Sequence, residues 1–276
     1  MNLKEAVEHA ATTLSSVSDS AKLDAQLLLC HACKIEQTKI IAHPEQQLTE
    51  QQLEIFTSAF NRRAKGEPLA YITGSKEFWS LEFMVNKHVL IPRPDTELLV
   101  ELTLKAILSI KTPDILELGT GSGAIAIAIA KEREDCNIIA TDTSIPALEL
   151  AKLNAKQHKV EITFAHSDWY KNLPEKKYDV IISNPPYIDI NDTELDQFVS
   201  NYEPKQAVIS EKNGLLDLTE IINTAAINLL PTGTLIVEHG FQQASLVREL
   251  FSNAKFNNIC MHIDLARNPR CTSGNL

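Results

Sequence analysis

From residue 114 onward, short apolar runs rich in branched residues alternate with segments of helical apolar spacing. Few folds accept that alternation, because strands joined through helices lie parallel and bury both faces under those helices. Strands are expected at 114–118, 137–141, 162–166, 178–183 and 234–238, with a further one at 259–264. Helices are expected at 124–133, 145–158, 215–230 and 242–251. The pattern predicts an α/β fold around a mostly parallel sheet, in which ligands bind beyond the carboxyl ends of the strands.

Two strand-end loops carry the chemistry. Gly119-Thr120-Gly121-Ser122-Gly123 joins the first strand to its helix. Glycines there permit a tight turn and a close ligand approach beside the positive end of the helix. Gly119, Gly121 and Ala124 also satisfy the looser dinucleotide pattern G-x-G-x-x-G/A, so the loop points to an adenosine-bearing ligand without choosing one. Glu117 reads either as an aid to a cationic ligand or as a solvated side chain. Asp142 ends the second strand, where a carboxylate can accept both ribose hydroxyls; capping the next helix is the plain alternative, and the two are compatible. Asp168 and Trp169 follow the third strand. Covering and hydrogen-bonding an adenine ring is one reading of the pair, and ordinary packing of the tryptophan is the other.

The second loop is Ser183-Asn184-Pro185-Pro186-Tyr187. Neither proline can donate a ladder hydrogen bond and each restricts its predecessor, so the strand stops and Asn184 is held at its end. No nicotinamide site or hydride partner is visible. The loop suits a planar NH2 group, whose nitrogen is a poor nucleophile because its lone pair is delocalised. The Asn184 side-chain oxygen and the Pro185 carbonyl would accept its two protons, and Tyr187 would stack on it. Such an acceptor is an amide or an aromatic amine. No general base is obvious, and His166 and His239 read as structural residues.

Residues 1 to about 66 read as helices. Leu3, Ala6, Val7, Ala10 and Leu14 share one face of the first. Ser18-Asp19-Ser20 offers caps for a second helix running through Leu23, Leu27 and Leu28. Thr49 and Gln52 form a capping box for a third, lined by Leu53, Phe56 and Phe60 and stopped at Lys65-Gly66. Cys30-His31-Ala32-Cys33 is a single C-x-x-C in an apolar run and reads as two structural cysteines. Phe78, Trp79, Leu81, Phe83, Val85, Val89 and Leu90 suggest a hairpin of short strands. The formal net charge of −10 argues against non-specific nucleic-acid binding. Five cysteines without a framework spacing, no apolar run of membrane length and no signal-peptide core lead to a cytoplasmic expectation.

Together these residues resemble the class I S-adenosylmethionine-dependent methyltransferases, and one branch in particular, the glutamine N5-methyltransferases of peptide chain release factors. The resemblance rests on Leu23-Asp24-Ala25, Glu77-Phe78-Trp79-Ser80-Leu81, Ile91-Pro92-Arg93-Pro94-Asp95-Thr96-Glu97, Glu117 through Gly123, Asp142, Asp168-Trp169, Asn184-Pro185-Pro186-Tyr187-Ile188-Asp189, Tyr202-Glu203-Pro204 and Glu238-His239-Gly240. It implies a helical substrate-docking domain at 1–70, a β-hairpin linker at 71–93, and a Rossmann-like methyltransferase domain with a seven-stranded sheet at 94–276. It implies S-adenosylmethionine on Gly119, Thr120, Gly121, Ser122, Gly123, Asp142, Asp168, Trp169 and Asn184, with no metal. The glutamine of a Gly-Gly-Gln loop would lie on Asn184, Pro185, Pro186 and Tyr187, with release factors as partners. The nearest rival is an adenine-N6 methyltransferase, since adenine also presents a planar NH2. The tail departs from the family: Asp264 and Arg270 keep its spacing, but Arg267 replaces a glycine and Asn275 follows Gly274.

Overall fold

The computed structural model describes residues 1–189 and 201–276. Its contacts divide it into two compact units, Met1–Ser75 and Lys76–Leu276.

The first unit is helical. α1 (Leu3–Leu14) begins at a capping box in which Asn2 and Glu5 satisfy each other's backbone amides, and its expected face is buried. α2 (Ala21–Cys33) packs Ala25, Leu28 and Leu29 into the same core. The cap expected from Ser20 is absent: its hydroxyl donates to Asp24 at 3.0 Å, and Leu23 lies exposed. Asp24 is buried because Arg63 pairs with it at 2.7 Å. α3 (Gln37–Ala42) is too short to announce itself by periodicity. α4 (Glu50–Ala64) has the Thr49–Gln52 capping box, and α5 (Leu69–Thr73) ends on Gly74, left-handed at φ 78°. Cys30 and Cys33 are free and half-buried on α2, and burial raises both thiol pKa values.

Starting on the last residue of the first unit, a hairpin of β1 (Ser75–Phe78) and β2 (Leu81–Met84) turns on Trp79 and Ser80, both left-handed, and sends Phe78 and Phe83 into the core of the second. The expected strand character ends there, since Val85, Val89 and Leu90 lie outside both strands. A 3-10 turn at Pro94–Thr96 leads into α6 (Glu97–Ala106). The alternating part follows: β3 (Asp114–Leu118), α7 (Ala124–Glu132), β4 (Asn137–Asp142), α8 (Ile145–His158), β5 (Thr163–His166) and β6 (Tyr178–Ser183). Next come α9 (Leu216–Asn228), β7 (Leu229–Glu238), α10 (Ala244–Asn253), β8 (Asn257–Ile263) and β9 (Pro269–Asn275).

The seven strands lie in the order β5-β4-β3-β6-β7-β9-β8. The first five run parallel, and β9 is antiparallel to both its neighbours. From β3 the chain builds outward through β4 and β5, then crosses to β6 on the other side. The carboxyl ends of β3 and β6 therefore flank the switch point where open α/β sheets leave a crevice. Two expectations need correction. The helix expected to reach residue 230 stops at Asn228, because β7 starts at Leu229 and extends through Pro231 and Gly233. The tail is an interior strand, β9, which the residue pattern did not announce.

Candidate active site

The switch point opens into a cleft of about 720 Å³. Its walls include Gly119, Thr120, Gly121, Ser122, Asp142, Asp168, Trp169, Asn184 and Pro186, so most residues singled out in the sequence converge there. Gly123, Pro185 and Tyr187 are not among its lining. Gly123 is left-handed at φ 83° at the start of α7, where an added Cβ would meet Ala151 and Ile127 at 3.1 Å. Its task is close packing of the helix.

The glycine loop is held from three sides. The Thr120 amide donates to the Thr141 carbonyl at 2.8 Å, tying the loop to β4. The Gly121 amide donates to Asp142 Oδ2 at 2.9 Å, while Oδ1 accepts from the Ser144 amide at 2.8 Å. Asp142 thus braces both turns, and Ser144, not Asp142, caps α8 with its hydroxyl on the Ala147 amide. Burial raises the Asp142 pKa while backbone hydrogen bonds from Ser144, Gly121 and Thr143 oppose the shift. The third hold is Asn154 on α8, which donates to the Ser122 carbonyl at 2.8 Å and exchanges bonds with Met84 at the end of the hairpin. Sequence reasoning missed Asn154. The signal was a polar residue on the apolar face formed by Ala147, Ala151 and Ala155.

Glu117 is not solvated. It is fully buried, its Oε2 accepts the Thr120 hydroxyl at 2.7 Å, and its Oε1 has no hydrogen-bond partner among the described residues. Desolvation lifts its pKa to about 7. Trp169 is left-handed at φ 46°, and its ring lies 3.5 Å from where a Gly119 Cβ would stand. The ring stands at ordinary contact distance, and it is the left-handed backbone of Gly119 at φ 75° that disfavours a side chain there. Asp168 is half-buried and pairs with Lys171. His166 meets the Thr143 carbonyl, and buried His239 lies between the Gly240 carbonyl and the Thr272 hydroxyl, consistent with structural roles.

Across the cleft, Asn184 donates through Nδ2 to the Thr96 hydroxyl at 3.2 Å. With its nitrogen engaged, the amide presents Oδ1 as its remaining acceptor. Pro185 is buried and Pro186 lines the cleft. Tyr187 turns away, donating its hydroxyl to Glu238 Oε1 at 3.1 Å. Arg270 of β9 lies behind, its Nη2 at 3.1 Å from Asp95 and 3.4 Å from Asp264. Arg93 is pinned by buried Glu203, which also accepts the Ile91 amide, so the proline-rich segment is fixed beside the cleft. Among the described residues, no group of three or more His, Cys, Asp or Glu side chains is arranged to hold a metal, and no helix is long and apolar enough to cross a membrane.

This architecture is shared with known proteins. A methyltransferase from Pyrococcus furiosus matches with a TM-score of 0.54 at 17% identity, covering 79% of this chain and 98% of that one. The 16S rRNA N2 G1207 methyltransferase of Thermus thermophilus, solved with AdoMet and guanosine, matches with a TM-score of 0.52 at 16% identity, covering 73% and 49%. These likenesses concern the fold. In sequence, residues 5–74 match the PrmC N-terminal domain family and residues 94–201 the methyltransferase small domain family. The release factor glutamine methyltransferase of Salmonella typhimurium is 42% identical over 267 residues, covering 96% of each chain. That of Escherichia coli K12 is 42% identical over 258 residues, covering 93% of each. At this identity over nearly the full length of both partners, the chain belongs to the release factor glutamine methyltransferase family.

Proposed function

We propose that this protein transfers a methyl group from S-adenosylmethionine to the side-chain amide nitrogen (N5) of the glutamine in the Gly-Gly-Gln loop of peptide chain release factors. The observation that carries the reading is Asn184. Its Nδ2 is occupied by Thr96, so its Oδ1 is the atom available to accept a proton of a planar NH2 group in the cleft that holds the glycine loop and Asp142. The names of the curated relatives support the same substrate class.

The residues present suit the methyl donor. Left-handed Gly119 and Gly121 keep the loop free of side chains, and space around a Gly121 Cβ position is open. Asp142 closes that loop with one lone pair on each oxygen and retains others for ribose hydroxyls. Trp169 and Asp168 furnish a flat apolar surface and an acceptor on the same wall. When bound, S-adenosylmethionine supplies an electrophilic methyl. The protein supplies alignment: Asn184 Oδ1 and the Pro185 carbonyl would each take a proton of the glutamine amide and fix the direction of its nitrogen. Orientation of that kind lowers a barrier by up to ~7–11 kcal/mol, so no strong general base is required. Tyr187 serves as the buttress of the corner rather than as a free stacking surface. The helical unit is the part that would dock the substrate protein, and such a substrate puts the enzyme in the cytoplasm.

The test offers labelled S-adenosylmethionine with purified release factor, with its Gln→Ala version of the Gly-Gly-Gln loop, and with duplex DNA. Label should appear on the unaltered release factor alone. Label on DNA and none on release factor would replace this reading with the adenine one.

A further inference from the structure

Behind the Asn-Pro-Pro-Tyr corner lies a charged cluster that the methyl-transfer chemistry does not itself require. Glu238, at the end of β7, is 1% exposed. Its Oε1 accepts the Tyr187 hydroxyl at 3.1 Å, while its Oε2 has no closed hydrogen bond among the described residues. The Thr96 hydroxyl faces this carboxylate and stabilises its charged form. That same hydroxyl oxygen receives Asn184 Nδ2. Arg270 approaches from β9 and supplies the nearest positive charge, and Asp95, beside Thr96, supplies a second negative one.

We propose that Glu238 is a positioning residue that sets which way the Asn184 amide points. The argument is one of donor and acceptor count. A threonine hydroxyl has one proton. An ionised carboxylate accepts only, so beside Glu238 the Thr96 proton is drawn to the carboxylate, and the hydroxyl is left to accept. The only group Asn184 can give an accepting oxygen is its NH2, which turns Oδ1 toward the cleft. A neutral group in place of the carboxylate can donate. Thr96 would then be free to donate to Asn184, the amide would turn over, and its NH2 would face the substrate NH2, donor against donor. The Tyr187 bond to the same carboxylate fixes the other end of the corner, so one buried charge orients both.

Burial lifts the Glu238 pKa to about 7, against the facing Thr96 hydroxyl, the Tyr187 hydrogen bond and the charge of Arg270. The titratable groups around it are Asp95, Tyr187, Arg270 and Cys271, its partner across β7 and β9; Arg270 in turn meets Asp264. Because the ionised form is the orienting one, activity is expected to be low below about pH 7 and to rise as pH passes through it.

The inference rests on the proposed methyl transfer, and the experiment separates the two. Wild type, Glu238→Gln, Thr96→Val and Thr96→Ser are assayed with release factor across pH 6–9, with S-adenosylmethionine affinity measured for each by calorimetry as the check on folding. Glu238→Gln and Thr96→Val should lose at least ~10-fold in kcat with cofactor affinity within about twofold of wild type. Thr96→Ser should restore most of the loss, and the rise in rate near neutral pH should vanish in Glu238→Gln. Glu238→Gln with wild-type kcat and an unchanged pH profile would overturn the proposal while leaving the methyl transfer intact. Should wild type methylate no release factor, neutron diffraction still decides the orientation: an Asn184 amide turned over in Glu238→Gln supports the proposal, and one that keeps its wild-type direction overturns it.

Discussion

Asp142 and Asn184 stand at the ends of two adjacent ladders, and their partners assign them different work. Asp142 accepts the Gly121 and Ser144 amides, so its removal both loosens the glycine loop and withdraws a charged acceptor from the cleft. A hydrogen bond to a charged group is worth about 1.5–3 kcal/mol, so Asp142→Ala should weaken S-adenosylmethionine binding roughly 10–100-fold by calorimetry. Asn184 touches the reacting nitrogen in the proposed complex. Asn184→Ala should cost roughly 100–1,000-fold in kcat while changing cofactor affinity much less, and a proportional loss of both would make it a cofactor residue instead. Both residues were legible in the sequence because their position after a strand is a local fact. Asn154, Thr96 and Glu238 were not, because their roles lie in contacts across long stretches of chain. Asn154 meets Ser122 from 32 residues away and Met84 from 70, and Tyr187 meets Glu238 from 51. The burial of Glu117 was hidden for a related reason: one side chain on a strand does not disclose which helix covers it.

At the scale of elements, the alternation of strand and helix was readable nearly to the residue where the pieces were apolar and parallel. It failed where pairing alone makes the strand. β9 reads Pro269-Arg270-Cys271-Thr272-Ser273-Gly274-Asn275, with little branched or aromatic content, yet it lies between β7 and β8 and donates to both. Of the two departures from the family pattern, Asn275 is therefore set inside the sheet, while Arg267 lies in the turn between β8 and β9. Gly274 pairs with Leu235, and an added Cβ there would come within 2.8 Å of Phe251 and 3.1 Å of Phe256. Those rings sit on α10 and in the loop before β8, so they cannot retreat without moving the layer over the sheet. Gly274→Ala should cost about 1–3 kcal/mol, read as a lower denaturant midpoint at unchanged m-value. Asn275→Ala removes only the bond to the Thr234 hydroxyl and should cost about 1 kcal/mol. Equal midpoints for the two variants would mean that Gly274 is not tightly packed.

For the molecule as a whole, the consequence of two compact units is a separation of labour that can be tested in the intact chain. Every residue lining the cleft belongs to Lys76–Leu276, and the core of Met1–Ser75 is a separate cluster of its own helices. Leu28 is completely buried in that helical core. Leu28→Ala deletes three carbons from a close-packed site, for which about 2–5 kcal/mol is the usual cost. The damage should stay in the helical unit, since the residues that touch Leu28 do not form the cleft. S-adenosylmethionine affinity is then expected to match wild type, while KM for release factor rises at temperatures where the helical unit is partly unfolded. A short glutamine-containing peptide, which under the proposed docking role has no need of the helical unit, should be methylated at the wild-type rate under the same conditions. If cofactor affinity fell in step with the helical signal in circular dichroism, the two units would be one cooperative block, and the helical unit would owe its place to stability of the cleft rather than to recognition of the substrate protein.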